Sequence, residues 1–139
     1  MAFRKSTGLR NKLLGYNKNI VVNPDFASNT SSWSAVNSNL ALATIDSESV
    51  LEVTNNTTAQ GQAYQSYFDM QPEREYSILI NVKAGTSNVR VLVGTTTDPD
   101  LYYDSGVISD ATDFTLKKGF FVAESNELKV TLQNESGTS

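Results

Sequence analysis

A chain of 139 residues, 39% hydrophobic and 19% charged, is one ordinary globular domain able to bury roughly two-thirds of its unfolded surface. Its eleven basic and fifteen acidic side chains leave a net charge of −4, and it contains neither cysteine nor histidine. Those two absences exclude disulfides, thiolate chemistry and the Ser-His-Asp triad, and they remove the commonest general base and transition-metal ligand.

The opening, MAFRKSTGLRNKLLGY, lacks the apolar run of a secretory signal, and no window approaches the ~18 apolar residues of a membrane span. The expectation is a soluble protein with no membrane partner. Residues 1–24 hold Arg4, Lys5, Arg10, Lys12 and Lys18 with no acid, whereas the remainder holds six basic and fifteen acidic side chains. That asymmetry reads as a basic arm, residues 1–19, opposite in sign to a body at residues 20–139. Two uses are open to such an arm: it reaches an acidic surface, a partner subunit or nucleic acid, or it folds back on its own acidic body. Ser6-Thr7 ahead of Leu9–Leu14, with Gly15 behind, supplies the capping residues of a short helix with Leu9 and Leu13 on one face. Two turns do not stand alone in water. Leu9 and Leu13, flanked by Arg4, Lys5, Arg10 and Lys12, are therefore the expected partner-anchoring residues.

From Ile20 onward the pattern turns to short strands. Ile20-Val21-Val22 leads through a polar loop to Trp33; Leu40–Asp46 and Val50–Thr54 form a pair around Ser47-Glu48-Ser49. The stretch Gly61–Ala84 organises the rest: alternation over residues 63–70 and again at Tyr76, Ile78, Ile80 and Val82 predicts two strands, with Pro72 forcing a hairpin turn between them. Asn88–Thr95, Asp113–Leu116, Gly119–Ala123 and Glu127–Gln133 complete about nine strands, and no helical period follows Gly15. The predicted fold is all-β: an antiparallel jelly-roll β-sandwich preceded by the arm with its short helix.

Asn23-Pro24-Asp25-Phe26, Trp33, Leu51-Glu52-Val53, Gln65-Ser66-Tyr67, Pro72 and Tyr76-Ser77-Ile78, in that order, resemble the carbohydrate-binding-module jelly rolls found beside xylanases and glucanases, the galactose-binding-like group. The resemblance runs over about residues 20–133. Separately, Arg4–Gly15 is similar to the opening of small structural proteins of tailed bacteriophages. The first resemblance implies sugar binding on aromatic platforms and a structural calcium. Together they imply a non-enzymatic virion protein, made in the host cytoplasm, whose arm joins it to other virion proteins and to copies of itself in the capsid, neck or tail. The alternative is a carbohydrate-binding module for host surface glycans. Family members usually close with one further C-terminal strand that is missing after Leu132, which leaves an edge for a neighbouring subunit or the chain's own arm to cover.

Trp33, Tyr64, Tyr102 and Tyr103, with Tyr67 beside them, are the candidate glycan-binding aromatics, because such rings offer an apolar face and a polar handle together. Trp33 and Tyr67 also read as core. Asp98, Asp100 and Asp104 supply oxygen ligands of the kind calcium takes, without the twelve-residue loop spacing, and a solvated turn is the other reading. No cofactor is expected. The same aspartates, or Glu73 and Glu75, can be posed as a glycosidase carboxylate pair. Such a pair is defined by its separation across a cleft, which a sequence does not show, and any chain with fifteen acids offers one, so catalysis is not expected. The acidic body disfavours nucleic acid.

Overall fold

The computed structural model describes Ala2–Asn11, Ile20, Phe26 and residues 28–135. Among these residues ten strands occur: β1 Ala2–Asn11, β2 Ser34–Val36, β3 Ser38–Ile45, β4 Glu48–Asn55, β5 Gln62–Tyr67, β6 Glu75–Lys83, β7 Val89–Gly94, β8 Tyr103–Asp104, β9 Thr115–Val122 and β10 Leu128–Asn134. They pair antiparallel throughout, in a first sheet of order β3-β4-β1-β6-β9 and a second of order β2-β5-β10-β7-β8.

Period-two patterning places the core. Along β6, Tyr76, Ile78, Ile80 and Val82 are buried while the residues between them are half-buried; in β10 Leu128, Val130 and Leu132 are buried on the same pattern, and Thr131 between the last two is buried as well. Both sets belong to one cluster, which Val89, Val91 and Val93 of β7 extend, so the sheets face each other across a shared interior. The all-β expectation holds, as a sandwich-like pair of antiparallel sheets.

Several local expectations change. Glu75–Lys83 does not pair back onto Gln62–Tyr67: β5 lies in the second sheet and β6 in the first. Alternation looks the same in two strands of one sheet as in two strands of facing sheets, and the chain uses residues 68–74 to cross over. Pro72 does set a turn there, with Glu73 at φ 67° and the Arg74 N–H donating to the Gln71 carbonyl at 3.3 Å. That is type II geometry, which asks for positive φ at its third position. Met70 and Glu73 are then tied by their N–H groups to the Asn126 and Ala123 carbonyls. The β3–β4 turn sits at Asp46-Ser47, both at positive φ, one residue shorter than the expected Ser47-Glu48-Ser49 and starting one residue earlier, because a two-residue hairpin loop with this twist matches the strands best. Lys117-Lys118-Gly119 is no turn but the middle of β9, paired to Ile80, Leu79 and Ile78.

The largest change concerns the N-terminal segment. Where a helix was expected from Ser6 to Gly15, Ser6–Asn11 lies in β1, and residues 12–15, including Lys12 and Leu13, fall outside the described residues. Strand β1 pairs with both β4 and β6, setting Arg4 opposite Val50 and Asn81, Leu9 opposite Ile78 and Arg10 opposite Ser77. The edges of β4 and β6 take Ala2–Arg4 between them and β6 takes Gly8–Asn11 further on, a backbone pairing that an isolated two-turn helix of low cooperativity does not match. The chain's own N-terminal segment thus supplies a strand to the first sheet, and its register slips between Arg4 and Gly8.

Candidate functional site

At one end of the sandwich the Gly61 N–H and the Asn134 side-chain amide both donate to Asn55 Oδ1, and the Asn134 N–H donates to the Gly61 carbonyl at 2.9 Å. A Cβ on Gly61 would fall 2.1 Å from Asn55 Oδ1, so any larger residue there would push the Asn55 side chain out of the clasp. A cleft of about 230 Å³ opens beside this clasp, lined by Glu52, Thr54, Thr86 and Ser87 among others. Among the described residues no aromatic ring lines it, and the clasp already uses its asparagines.

The outer face of the second sheet is organised differently. Residues alternating with the buried positions of β5, β7 and β10 stand in rows across the strands. One row runs Gln62–Gln133–Arg90, the next Tyr64–Thr131–Leu92, the third Ser66–Lys129–Gly94. The first row is a continuous hydrogen-bond ladder. Gln62 Nε2 donates to Gln133 Oε1 at 2.9 Å, and Gln133 Nε2 donates to Glu135 Oε1 at 3.4 Å. Arg90 grips Glu135 with Nε and Nη2, at 3.0 and 3.3 Å, and reaches Asp104 Oδ2 with Nη1 at 2.7 Å. The Glu135 bond first, then the Asp104 bond, raises the Arg90 pKa further above its ordinary value, so the guanidinium is a permanent cation held flat by two carboxylates.

Tyr64 lies in the middle row, half-buried, with the Lys129 ammonium 4.5 Å from its ring centroid. The third row is bounded by the loop after β7: a Cβ on Gly94 would strike the Asp98 and Pro99 backbone at 2.1 and 2.6 Å, so that loop lies directly over the strand. The Glu127 carboxylate accepts the Thr96 N–H at 2.7 Å; hydrogen bonds from Thr96, with Lys129's charge behind them, hold it below the usual glutamate range. An aromatic face beside planar amide, carboxylate and guanidinium groups is the donor set that a sugar requires, since its C–H face stacks while its hydroxyls both donate and accept.

The sequence-selected aromatics go to different places. Tyr64 stands on the outer face of the second sheet. Trp33 packs against Phe26, centroids 6.0 Å apart. Tyr102 stacks on Phe121 at 4.6 Å, and its hydroxyl accepts the Glu124 N–H. Tyr103 packs against the core, its ring 3.0 Å from where a Cβ on Gly119 would lie. Burial first, and then the Asp104 charge, pushes its phenol pKa up. The four do not form one platform. The three aspartates do not fit a calcium site: Asp104 spends one oxygen on Arg90 and the other on the Gly106 N–H, and among the described residues no group of three or more acidic side chains could hold a metal. Gln62, Arg90, Lys129, Thr131, Gln133 and Glu135 went unselected. Their signal was the polar half of each strand's alternation, which becomes a row only once the strand register is known.

Two antiparallel sheets around one core, with an aromatic and hydrogen-bonding outer face, define the class of β-sandwich-like binding domains. Residues 18–139 match the carbohydrate binding domain family, and the chain belongs to it. No curated protein matches the chain.

Proposed function

We propose that the protein is a non-catalytic carbohydrate-binding module and that its site is the outer face of the β2-β5-β10-β7-β8 sheet. The observation that carries this reading is the Tyr64 ring set beside the Gln62–Gln133–Glu135–Arg90 ladder. Ordered side chains that need no rearrangement keep the entropic cost of binding low. The face favours neutral sugars: Arg90 is already compensated by Asp104 and Glu135, and Glu127 stands near Lys129. Family membership supports glycan recognition ahead of a virion-anchoring role, which rests on the Arg4–Gly15 resemblance alone.

Affinity electrophoresis in gels containing soluble β-glucan, xylan or polygalacturonate tests the reading. A neutral polysaccharide should retard the wild type, and Tyr64→Ala should remove at least about tenfold of the affinity, a stacking contribution of about 1.4 kcal/mol. Retardation by polygalacturonate alone, or unchanged retardation of Tyr64→Ala, would overturn it.

A further inference from the structure

Resting on the glycan-binding reading of this sheet, we propose that Lys129 is a displaceable cover over the sugar subsite and that Thr131, beneath it, hydrogen-bonds the bound ring. Val130 and Leu132 turn into the core, so Thr131 stands on the outer face between Tyr64 of β5 and Leu92 of β7. It is only 3% exposed, yet its hydroxyl has no hydrogen-bond partner. A buried hydroxyl left alone is costly, and valine would fill the same space without that cost. The hydroxyl makes physical sense where a ligand completes it.

The cover follows from the next row. Lys129 is two residues away on the same face, and its ammonium lies on the Tyr64 ring rather than in an ion pair among the described residues. A cation over a partly exposed ring is weakly held. A pyranose ring that takes its place gains the Tyr64 face and brings a hydroxyl to Thr131 Oγ1. The ammonium, swung aside, goes to water, which long flexible lysine stems reach readily. The amide and guanidinium ladder bounds the subsite on one side and the Asp98–Pro99 backbone over Gly94 on the other. The opening is therefore one row of side chains wide.

The experiment is calorimetric titration of the full chain with cellohexaose and xylohexaose, alongside thermal unfolding without sugar. Thr131→Val should keep or raise the melting temperature while affinity falls about five- to tenfold. Lys129→Ala should raise affinity about two- to fivefold, because no cation has to leave the ring. A lowered melting temperature for Thr131→Val, wild-type affinity in that variant, or a loss in Lys129→Ala as large as that in Tyr64→Ala would each overturn the proposal. Should Tyr64→Ala bind as wild type, the reading of the whole face fails and the cover with it. Should Tyr64→Ala lose binding while Thr131→Val keeps it, the cover alone fails.

Discussion

The central strand of the first sheet is β1, drawn from the N-terminal residues, and its pairing with β6 slips between Arg4 and Gly8; the central strand of the second is β10, which keeps an unbroken register with both neighbours. Both sheets send fully buried side chains into the core: Val82 of β6 and Leu132 of β10 are each 0% exposed. The outer faces differ. Unbroken register aligns Gln62, Gln133 and Arg90 into a hydrogen-bonded row; edge strand β9 also pairs with β6 without a shift, yet it presents the exposed Leu116, Lys118, Phe120 and Val122, so register permits such a row and the side chains decide whether it forms. Core burial tolerates a slip because apolar contact is non-directional; a ladder of side-chain hydrogen bonds does not, because each bond has a required distance and angle.

The comparison breaks most severely if β1 is removed. Deleting residues 1–11 strips the strand between β4 and β6 and exposes two backbone edges, so cooperative thermal unfolding followed by circular dichroism should be lost. A retained transition at the wild-type temperature would instead make the N-terminal segment a separable arm. Next in size are Ile78→Asp and Val130→Asp, buried positions of the first and second sheets. Each places an unpaired charge in the same interior and should cost about 3 kcal/mol or more. Equal losses in chemical denaturation would show that the sheets unfold as one unit. A loss confined to one variant would show that they do not.

A smaller effect comes from alkali. Burial holds the Tyr103 phenol above its ordinary pKa of 10.0, so from that pH upward the unfolded chain releases this proton before the folded one does. The contribution is complete below pH 10 and is lost as pH rises through the folded-state value. Tyr103→Phe should therefore flatten the decline of melting temperature above pH 10, and an unchanged slope would refute the assignment. The smallest expected effect is that of Leu116→Ser on the outer face of the first sheet, where the side chain is 52% exposed. Stability should move by no more than about 0.5 kcal/mol and polysaccharide retardation not at all. Lost retardation would move the site to the other sheet.

Much of this was legible in the chain. The buried sets on β6, β7 and β10 follow directly from period-two alternation, and Pro72 marks a real turn. Which sheet each strand joins was not legible: β5 and β6 alternate identically whether they pair or face each other. Gly15 and the Ser6-Thr7 pair gave good local helix signals, and the open edge of β6 outweighed them over Gly8–Asn11. For the site, Tyr64 was visible as an aromatic, but so were Tyr102 and Tyr103, which stack or pack inside. Arg90 and Glu135 are 45 residues apart and meet only because β7 and β10 are neighbours.

The Asn55–Gly61–Asn134 clasp has a consequence for how the molecule breathes. Asn55 ends β4 of the first sheet and Asn134 ends β10 of the second, so the Gly61 N–H and the Asn134 side-chain amide, both held by Asn55 Oδ1, are released when the two sheets part at that end. In hydrogen–deuterium exchange the Gly61 backbone amide should keep its proton about as long as the strand interiors of β6 and β10, despite lying at the margin of the fold. Gly61, a member of the clasp, sits at the start of β5, one position before Gln62 of the ladder. Opening motions at that end would therefore reach the first row of the glycan-binding face before they reach Tyr64.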